Sequence, residues 1–190
     1  KQKTAYEITY GDWSSDVCSS DLRFYDADLY IGVAYASLVV PGDASAANTD
    51  VGRQAAAALQ RYIEKVPDGV DGWSGLAGVY QELGEVDRAR ATYRRLTELA
   101  PQNPLGFYSL GALAWTALAD TKHPLPPAQK EAAVAEGLAN IDRALTLDPQ
   151  YGDAMAYRNL LLRQKALIAR TPAEADRLTA EADSFFNPTL

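Results

Sequence analysis

A stretch of 34 residues, 70–103, restricts the fold of this chain more than any other part of the sequence. Its apolar residues recur at spacings of three and four in two runs, which is typical of two amphipathic helices. The residues expected to face inward are Trp73, Leu76, Ala77 and Tyr80 in the first run, and Ala89, Tyr93 and Leu96 in the second. Gly84 indicates a tight turn between the runs, and Pro101 ends the second helix because proline lacks the backbone N–H that a helix interior requires. Because the spacing places Trp73 inward, cutting it to alanine is predicted to cost about 3–5 kcal/mol, as for other buried aromatic residues.

This unit resembles the tetratricopeptide repeat, of the bacterial type, in its length and at seven positions. Those positions are Trp73, Leu76, Tyr80, Gly84, Ala89, Tyr93 and Pro101. The resemblance implies an all-α fold, a right-handed α-solenoid of antiparallel helix pairs with three to four repeats and a C-terminal capping helix. It also implies a chain that binds other proteins.

The same period recurs on both sides of this unit. Pro67 lies one period before Pro101, and Phe107 lies one period after Trp73. We expect one helical domain over residues 23–187, with repeats at about 25–69, 70–103, 104–151 and 152–187. Clusters of proline and glycine predict enlarged turns inside the first and third repeats, at residues 41–50 and 118–127. Whether these turns serve binding or only fill space stays open at this stage.

Residues 12–22, DWSSDVCSSDL, match the translation of a short-read sequencing adapter residue for residue. We therefore interpret residues 1–22 as an artefactual or disordered N-terminal segment. The alternative is a natural linker rich in serine and aspartate. Cys18, the only cysteine of the chain, belongs to this stretch, so cysteine gives no redox or metal signal for the rest.

Composition excludes several functional classes. Hydrophobic residues make up 47% of the chain and charged residues 23%, which is typical of a folded globular protein. No run approaches the roughly 18 apolar residues that a membrane-spanning helix needs. The net charge of −7 argues against nucleic acid as a partner, because phosphate recognition needs clustered lysine and arginine. The sequence does not begin with Met, and no basic stretch leads into an apolar segment there, so we expect that any targeting peptide lies upstream of these residues or is absent. The cellular compartment stays open.

The sequence contains no recognisable catalytic, cofactor-binding or metal-binding motif. His123, the only histidine, lies in a proline-rich turn with no second ligand or nucleophile nearby, and is expected to be solvated. The glycines around Ser74 do not have the spacing of a nucleophile elbow, and no lysine follows them as in a phosphate-binding loop. We therefore expect a protein that is not an enzyme and has no cofactor.

The resemblance also implies a binding groove along the first helices of the repeats. The positions that correspond to the family's groove are Tyr30, Val33, Ser74, Gln81, Tyr108, Trp115, Tyr157 and Arg163. Aromatic residues prevail among them, and Tyr and Trp are frequent anchors of binding surfaces. For Tyr108 and Trp115 the alternative is that they pack beneath the enlarged turn of the third repeat. Family members that bind acidic chaperone tails use Lys and Asn in this groove, so that activity is not implied here.

The expected function is a non-enzymatic scaffold that binds a helix or peptide of a partner protein in this groove. A second hypothesis is a structural or assembly segment of a larger chain, and the least favoured is an accessory subunit of an enzyme. The identity of the partner is not encoded in any motif of this sequence.

Overall fold

The computed structural model describes residues 24–184, and their side chains from Ala27 onward. Within this range the chain forms eight α-helices and no strand, so the all-α prediction is confirmed. The helices are α1 (Phe24–Ala36), α2 (Ala46–Lys65), α3 (Val70–Glu82), α4 (Val86–Leu99), α5 (Pro104–Ala119), α6 (Pro127–Leu147), α7 (Gly152–Leu167) and α8 (Pro172–Ser184). The interpretation of residues 1–22 and the expected domain end at residue 187 lie outside the described residues.

The helices belong to two compact units. The first contains α1 to α3, and the second contains α4 to α8. In the first unit α1 packs on α2 and α3, and α2 packs on α3. In the second unit each helix packs on the next, and α5 also contacts α7. Contacts between alternate helices are expected where the first helices of stacked repeats lie side by side.

The first unit is built around the apolar face of α2. Ala55, Leu59 and Tyr62 are buried there, as the sequence predicts, and Leu59 is fully inaccessible. Asp28 of α1 accepts hydrogen bonds from Lys65 Nζ at 2.7 Å and Arg61 Nε at 2.9 Å. These two cations, lysine first, hold the pKa of the Asp28 carboxyl below its ordinary value. The ion pairs thereby join α1 to the C-terminal half of α2.

The turn between α1 and α2 lies earlier in the chain than the sequence predicts, at residues 37–45 instead of 41–50. The predicted turn extended to residue 50, but helix α2 already begins at Ala46. It begins there because the Ser45 side chain caps the helix by accepting a hydrogen bond from Asn48 N. The Asn48 side chain then fixes the turn itself. Its amide oxygen accepts from Val40 N, and its amide nitrogen donates to the carbonyl oxygens of Val40 and Asp43, at 2.8, 3.0 and 2.7 Å. One buried amide therefore satisfies three backbone groups of this turn.

The short turn after α3 agrees with the prediction. Helix α3 ends at Glu82 and α4 begins at Val86. Gly84 lies between them with a φ of +70°, a left-handed conformation that glycine adopts without steric cost. The Glu85 N–H donates to the Tyr80 carbonyl at 2.8 Å, which satisfies a carbonyl at the end of α3.

Trp73 is not the core residue that the spacing predicts. Its side chain is half-buried, and its indole Nε1 donates to the Pro67 carbonyl at 2.7 Å. Leu76, Ala77 and Tyr80 of the same helix are buried as predicted. Trp73 is only half-buried because it lies in the first turn of α3, where its side chain bends back over the segment that leads into the helix. The loss on its truncation is therefore expected to fall below the range for a fully buried aromatic.

The second unit has a core of aliphatic side chains from α6, α7 and α8. Ile141, Leu161 and Leu178 are almost completely inaccessible, and Val134 and Ala182 pack with them. A Cβ added at Gly111 of α5 would lie 2.5 Å from Ile141 Cδ1, so the absence of a side chain allows α5 and α6 to approach closely. The predicted inward residues Ala89, Tyr93 and Leu96 of α4 are also buried.

The last helix is fixed to α7 by polar contacts as well as by its apolar stripe. Arg158 of α7 contacts Asp142 Oδ1 at 2.6 Å and Glu181 Oε1 at 3.0 Å. Arg163 Nη2 contacts Asp183 Oδ1 at 2.6 Å, and the Asn159 side-chain amide donates to the Ala182 carbonyl. These contacts position α8 across the end of the second unit.

The second enlarged turn is shorter than predicted. Helix α5 continues to Ala119, so the turn consists of residues 120–126 instead of 118–127. Asp120 organises its first half, because Oδ1 accepts from the backbone N–H groups of Lys122 and His123 at 2.8 and 3.1 Å. Its second oxygen, Oδ2, lies 3.0 Å from His123 Nδ1. Pro126 and Pro127 then fix the backbone where α6 begins.

Candidate functional site

In the first unit, α1 presents apolar side chains to solvent. Tyr30 is 65% exposed and Val33 is 50% exposed, although both are large and apolar. The residues of α1 are apolar on most sides of the helix, and only part of its surface is covered by α2 and α3. Both side chains are therefore accessible to another molecule.

In the same unit, the corresponding residues of α3 are small or polar. Ser74 is half-buried and Gln81 is exposed. Between them lies Gly78, and a Cβ added there would meet nothing within 4 Å. The surface of α3 is therefore open at Gly78 and has room for a side chain of another molecule.

In the second unit, three tyrosines form a cluster. Tyr108 of α5 lies 4.8 Å from Tyr151 and 5.6 Å from Tyr157, measured between ring centroids, and the second contact is edge-to-face. Desolvation raises the pKa of Tyr108 to about 12, and the nearby Tyr157 and Asp153 contribute to the shift. Tyr151 also has a raised pKa, first because of desolvation and then because of Asp153 and Asp148. Burial and nearby carboxylates thus favour the neutral phenol at both Tyr108 and Tyr151.

A concavity of 680 Å³ adjoins this cluster, and Tyr157 belongs to both. The concavity lies between α5, α7, the turn after α5 and Val86 at the start of α4. Its lining includes Trp115, Tyr157, Leu125, Asp120 and His123. The two rings and Leu125 supply apolar surface, and Asp120 supplies a carboxylate. Hydrogen bonds to the His123 side chain and to the backbone lower the pKa of Asp120, so this group is ionised at neutral pH.

The structure brings some of the predicted groove residues together and separates others. Tyr108 contacts Tyr157, and Tyr157 lines the same concavity as Trp115. These three rings, with Tyr151, are called the aromatic surface of the second unit. Tyr30 and Val33 on α1, and Ser74 and Gln81 on α3, lie on adjacent helices of the first unit. Arg163 is directed to Asp183 of α8 and takes no part in the aromatic surface.

The alternative interpretation, packing beneath the enlarged turn of the third repeat, fits Trp115 better than Tyr108. Trp115 lines the concavity beside Leu125 and His123 of the enlarged turn. Tyr108 packs on Tyr151 and Tyr157 instead, so the turn does not explain its position. Tyr151 was missed by reasoning from helix register, because it lies just before α7 begins. The signal for it was an aromatic residue two positions after Pro149, which ends the preceding helix.

Within residues 24–184 no three His, Cys, Asp or Glu side chains come together as a metal site. In the same range, no helix has the length and the apolar character needed to cross a lipid bilayer.

Comparison with known proteins gives a repeat family for part of the chain and a fold for most of it. Residues 52–113 match the sequence model of the tetratricopeptide repeat. The fold is similar to that of a thermophilic TPR protein of Thermus thermophilus, with 18% identity, a TM-score of 0.54 and coverage of 83% of this chain and 80% of that chain. It is also similar to a Thermobaculum terrenum O-GlcNAc transferase mutant, with 18% identity and a TM-score of 0.55 over 84% of this chain.

At this identity the two structures show the fold alone, a helical repeat solenoid. This chain spans only 26% of the length of the transferase. Both structures come from bacteria, in agreement with the bacterial type of repeat expected from the sequence. Among curated proteins there is no match.

Proposed function

We propose that this tetratricopeptide repeat protein is a scaffold that binds a helix or an extended peptide of a partner protein on the surface of its first helices. Tetratricopeptide repeats generally mediate protein–protein interaction, and the fold is typically non-catalytic. The proposal goes further, because it assigns the binding surface to particular residues of this chain.

The observation that carries the proposal is the aromatic surface of the second unit, formed by Tyr108, Trp115, Tyr151 and Tyr157 beside an open concavity. Tyrosine and tryptophan offer a large contact area and lose little side-chain entropy on binding, so such groups often supply most of the binding energy. A half-buried ring needs no rearrangement to receive a partner side chain. The exposed Tyr30 and Val33, with the open space at Gly78, provide a second contact area in the first unit.

The test is selection of binding peptides from a random library, followed by affinity measurements on point variants. Trp115→Leu removes the ring from the concavity and keeps an apolar side chain. Trp73→Leu is the matched control, because Trp73 is the other tryptophan among the described residues and does not line the concavity. Removal of a central aromatic anchor typically costs more than about 2 kcal/mol, or roughly thirtyfold in affinity.

A second pair of variants examines the first unit. Gly78→Gln places a long side chain in the open space of α3, whereas Gly78→Ala adds only a methyl group. A partner that crosses α3 is expected to bind the glutamine variant weakly and the alanine variant normally. The proposal is wrong if selected peptides bind Trp115→Leu and Gly78→Gln as tightly as the unchanged protein.

A second candidate function is that of a segment within a larger chain, which contacts a neighbouring domain. One observation favours it, namely that the fold covers only 26% of the similar transferase. Resequencing the gene across the codons of residues 1–30 is the first step. If a further domain is encoded there, the second candidate predicts that adding this domain blocks the aromatic surface and lowers the affinity for selected peptides. The role of an accessory subunit of an enzyme ranks last, since it is supported only by the name of that one similar structure.

A further inference from the structure

The charge of the concavity beside Trp115 restricts the chemistry of its occupant. Among the described residues that line it, the only ionisable side chains besides Tyr157 are Asp120 and His123, and neither lysine nor arginine is present. Lys122 is adjacent in sequence but contributes its backbone N–H to Asp120, and its side chain is not part of the lining. The nearest arginines on α7 contact carboxylates of α6 and α8. The described lining therefore combines a carboxylate and two aromatic rings, and it includes no lysine or arginine.

We infer that this concavity binds a cationic side chain, arginine or lysine, of the partner segment. This inference rests on the proposed function and specifies the chemistry of the partner. The faces of tryptophan and tyrosine rings attract cations through their quadrupole, and guanidinium groups also stack on them. Asp120 supplies the negative charge at the edge of this aromatic surface. The combination suits a cation and opposes an anionic side chain.

The hydrogen bonds of Asp120 leave room for this role. An ionised carboxylate has about four acceptor positions. Three of them are used, two on Oδ1 by backbone N–H groups and one on Oδ2 by His123 Nδ1. One position on Oδ2 thus remains for a donor on the partner. The carboxylate is held rigidly by its own turn, which lowers the entropy lost when it binds a cation.

The exposure of His123 agrees with this arrangement. Its side chain is 85% exposed, so most of the imidazole surface faces solvent although the residue belongs to the lining. The Asp120 side chain is 41% exposed, so the carboxylate is accessible to another molecule.

The experiment uses two small probes that differ only in charge, N-acetyl-arginine methylamide and N-acetyl-citrulline methylamide. Citrulline has nearly the shape of arginine but a neutral urea group. The indole N–H resonance of Trp115, assigned with the Trp115→Phe variant, reports binding by NMR, and the indole of Trp73 serves as an internal control. The arginine probe is expected to shift the Trp115 resonance in a saturable way. The citrulline probe is expected to have an affinity at least about tenfold lower.

The Asp120→Asn variant tests the carboxylate separately from the turn. The amide oxygen of asparagine can still accept from the N–H groups of Lys122 and His123, so the turn is expected to remain folded. Loss of the arginine-dependent shift in this variant supports the inference. Equal binding of arginine and citrulline probes, or no movement of the Trp115 resonance, overturns it. Such a failure leaves the peptide-selection test unaffected, because a groove that binds neutral peptides still meets the proposed function.

Discussion

Replacing Gly78 with alanine is expected to stabilise the protein, because this glycine is not required by packing. It lies inside α3, and an added Cβ would meet no atom within 4 Å. A glycine in a helix interior destabilises the helix by about 0.5–1 kcal/mol relative to alanine. For a chain of this length, that gain corresponds to a rise of roughly 1–4 °C in melting temperature.

Gly72 on the same helix is the matched control and is expected to respond in the opposite direction. A Cβ there would lie 2.7 Å from Cε1 of Tyr62, and still closer to Cδ1. Tyr62 is only 7% exposed, so its ring has little space to move away. Overpacking of this kind costs about 1–3 kcal/mol, which exceeds the gain in helix propensity. Gly72→Ala is therefore expected to lower the melting temperature.

Thermal and urea unfolding followed by circular dichroism measure both variants. The two substitutions lie in one helix and one unit, so the comparison does not depend on how the two units unfold. If Gly78→Ala destabilises the protein, the space in front of α3 is already filled, and the first unit has no open surface at this position. If Gly72→Ala stabilises the protein as much as Gly78→Ala does, then α2 and α3 do not pack as closely at Gly72 as the structure shows.

Three further predictions concern individual side chains. Tyr108→Phe is expected to remove one tyrosinate step near pH 12 from the spectrophotometric titration. In the unchanged protein, the free energy of unfolding should fall as the pH rises from 10, the ordinary pKa of tyrosine, to about 12, the pKa of Tyr108 in the folded state. Asp28→Asn should destabilise the protein at pH 7, and this difference in unfolding free energy should shrink as pH falls below about 4, since the lowered pKa stabilises the fold only while the carboxylate is ionised. Asn48→Ala should cost about 1–3 kcal/mol in urea unfolding, because its three hydrogen bonds to the turn disappear, whereas Asp50→Ala on the same helix should have a smaller effect.

The helix pairs were predictable because each depends on local signals. Periodic apolar residues fixed the inward faces of α2 and α4, and Gly84 fixed the tight turn. The turn boundaries were less predictable, since they depend on single side-chain bonds. Ser45 and Asn48 start α2 early, and no composition rule shows that an asparagine reaches back to the residue at position 40.

The candidate site shows the same division between local and distant signals. Helix register identified Tyr108, Trp115 and Tyr157, but it also selected Arg163, whose direction depends on Asp183 in a later helix. Tyr151 lies in a turn, where the register of a helix does not apply. Residues positioned by distant ion pairs or by turns therefore require the structure.

The most direct test of the proposed binding surface is an NMR footprint of a selected peptide on the protein. Amide and side-chain resonances are compared between the free and bound states. The proposal predicts that the shifts concentrate at Tyr108, Trp115, Tyr151 and Tyr157, with little change at the exposed Arg94 and Ala139 of the second helices, α4 and α6. A footprint centred on α4 and α6, with the aromatic surface unchanged, would contradict it.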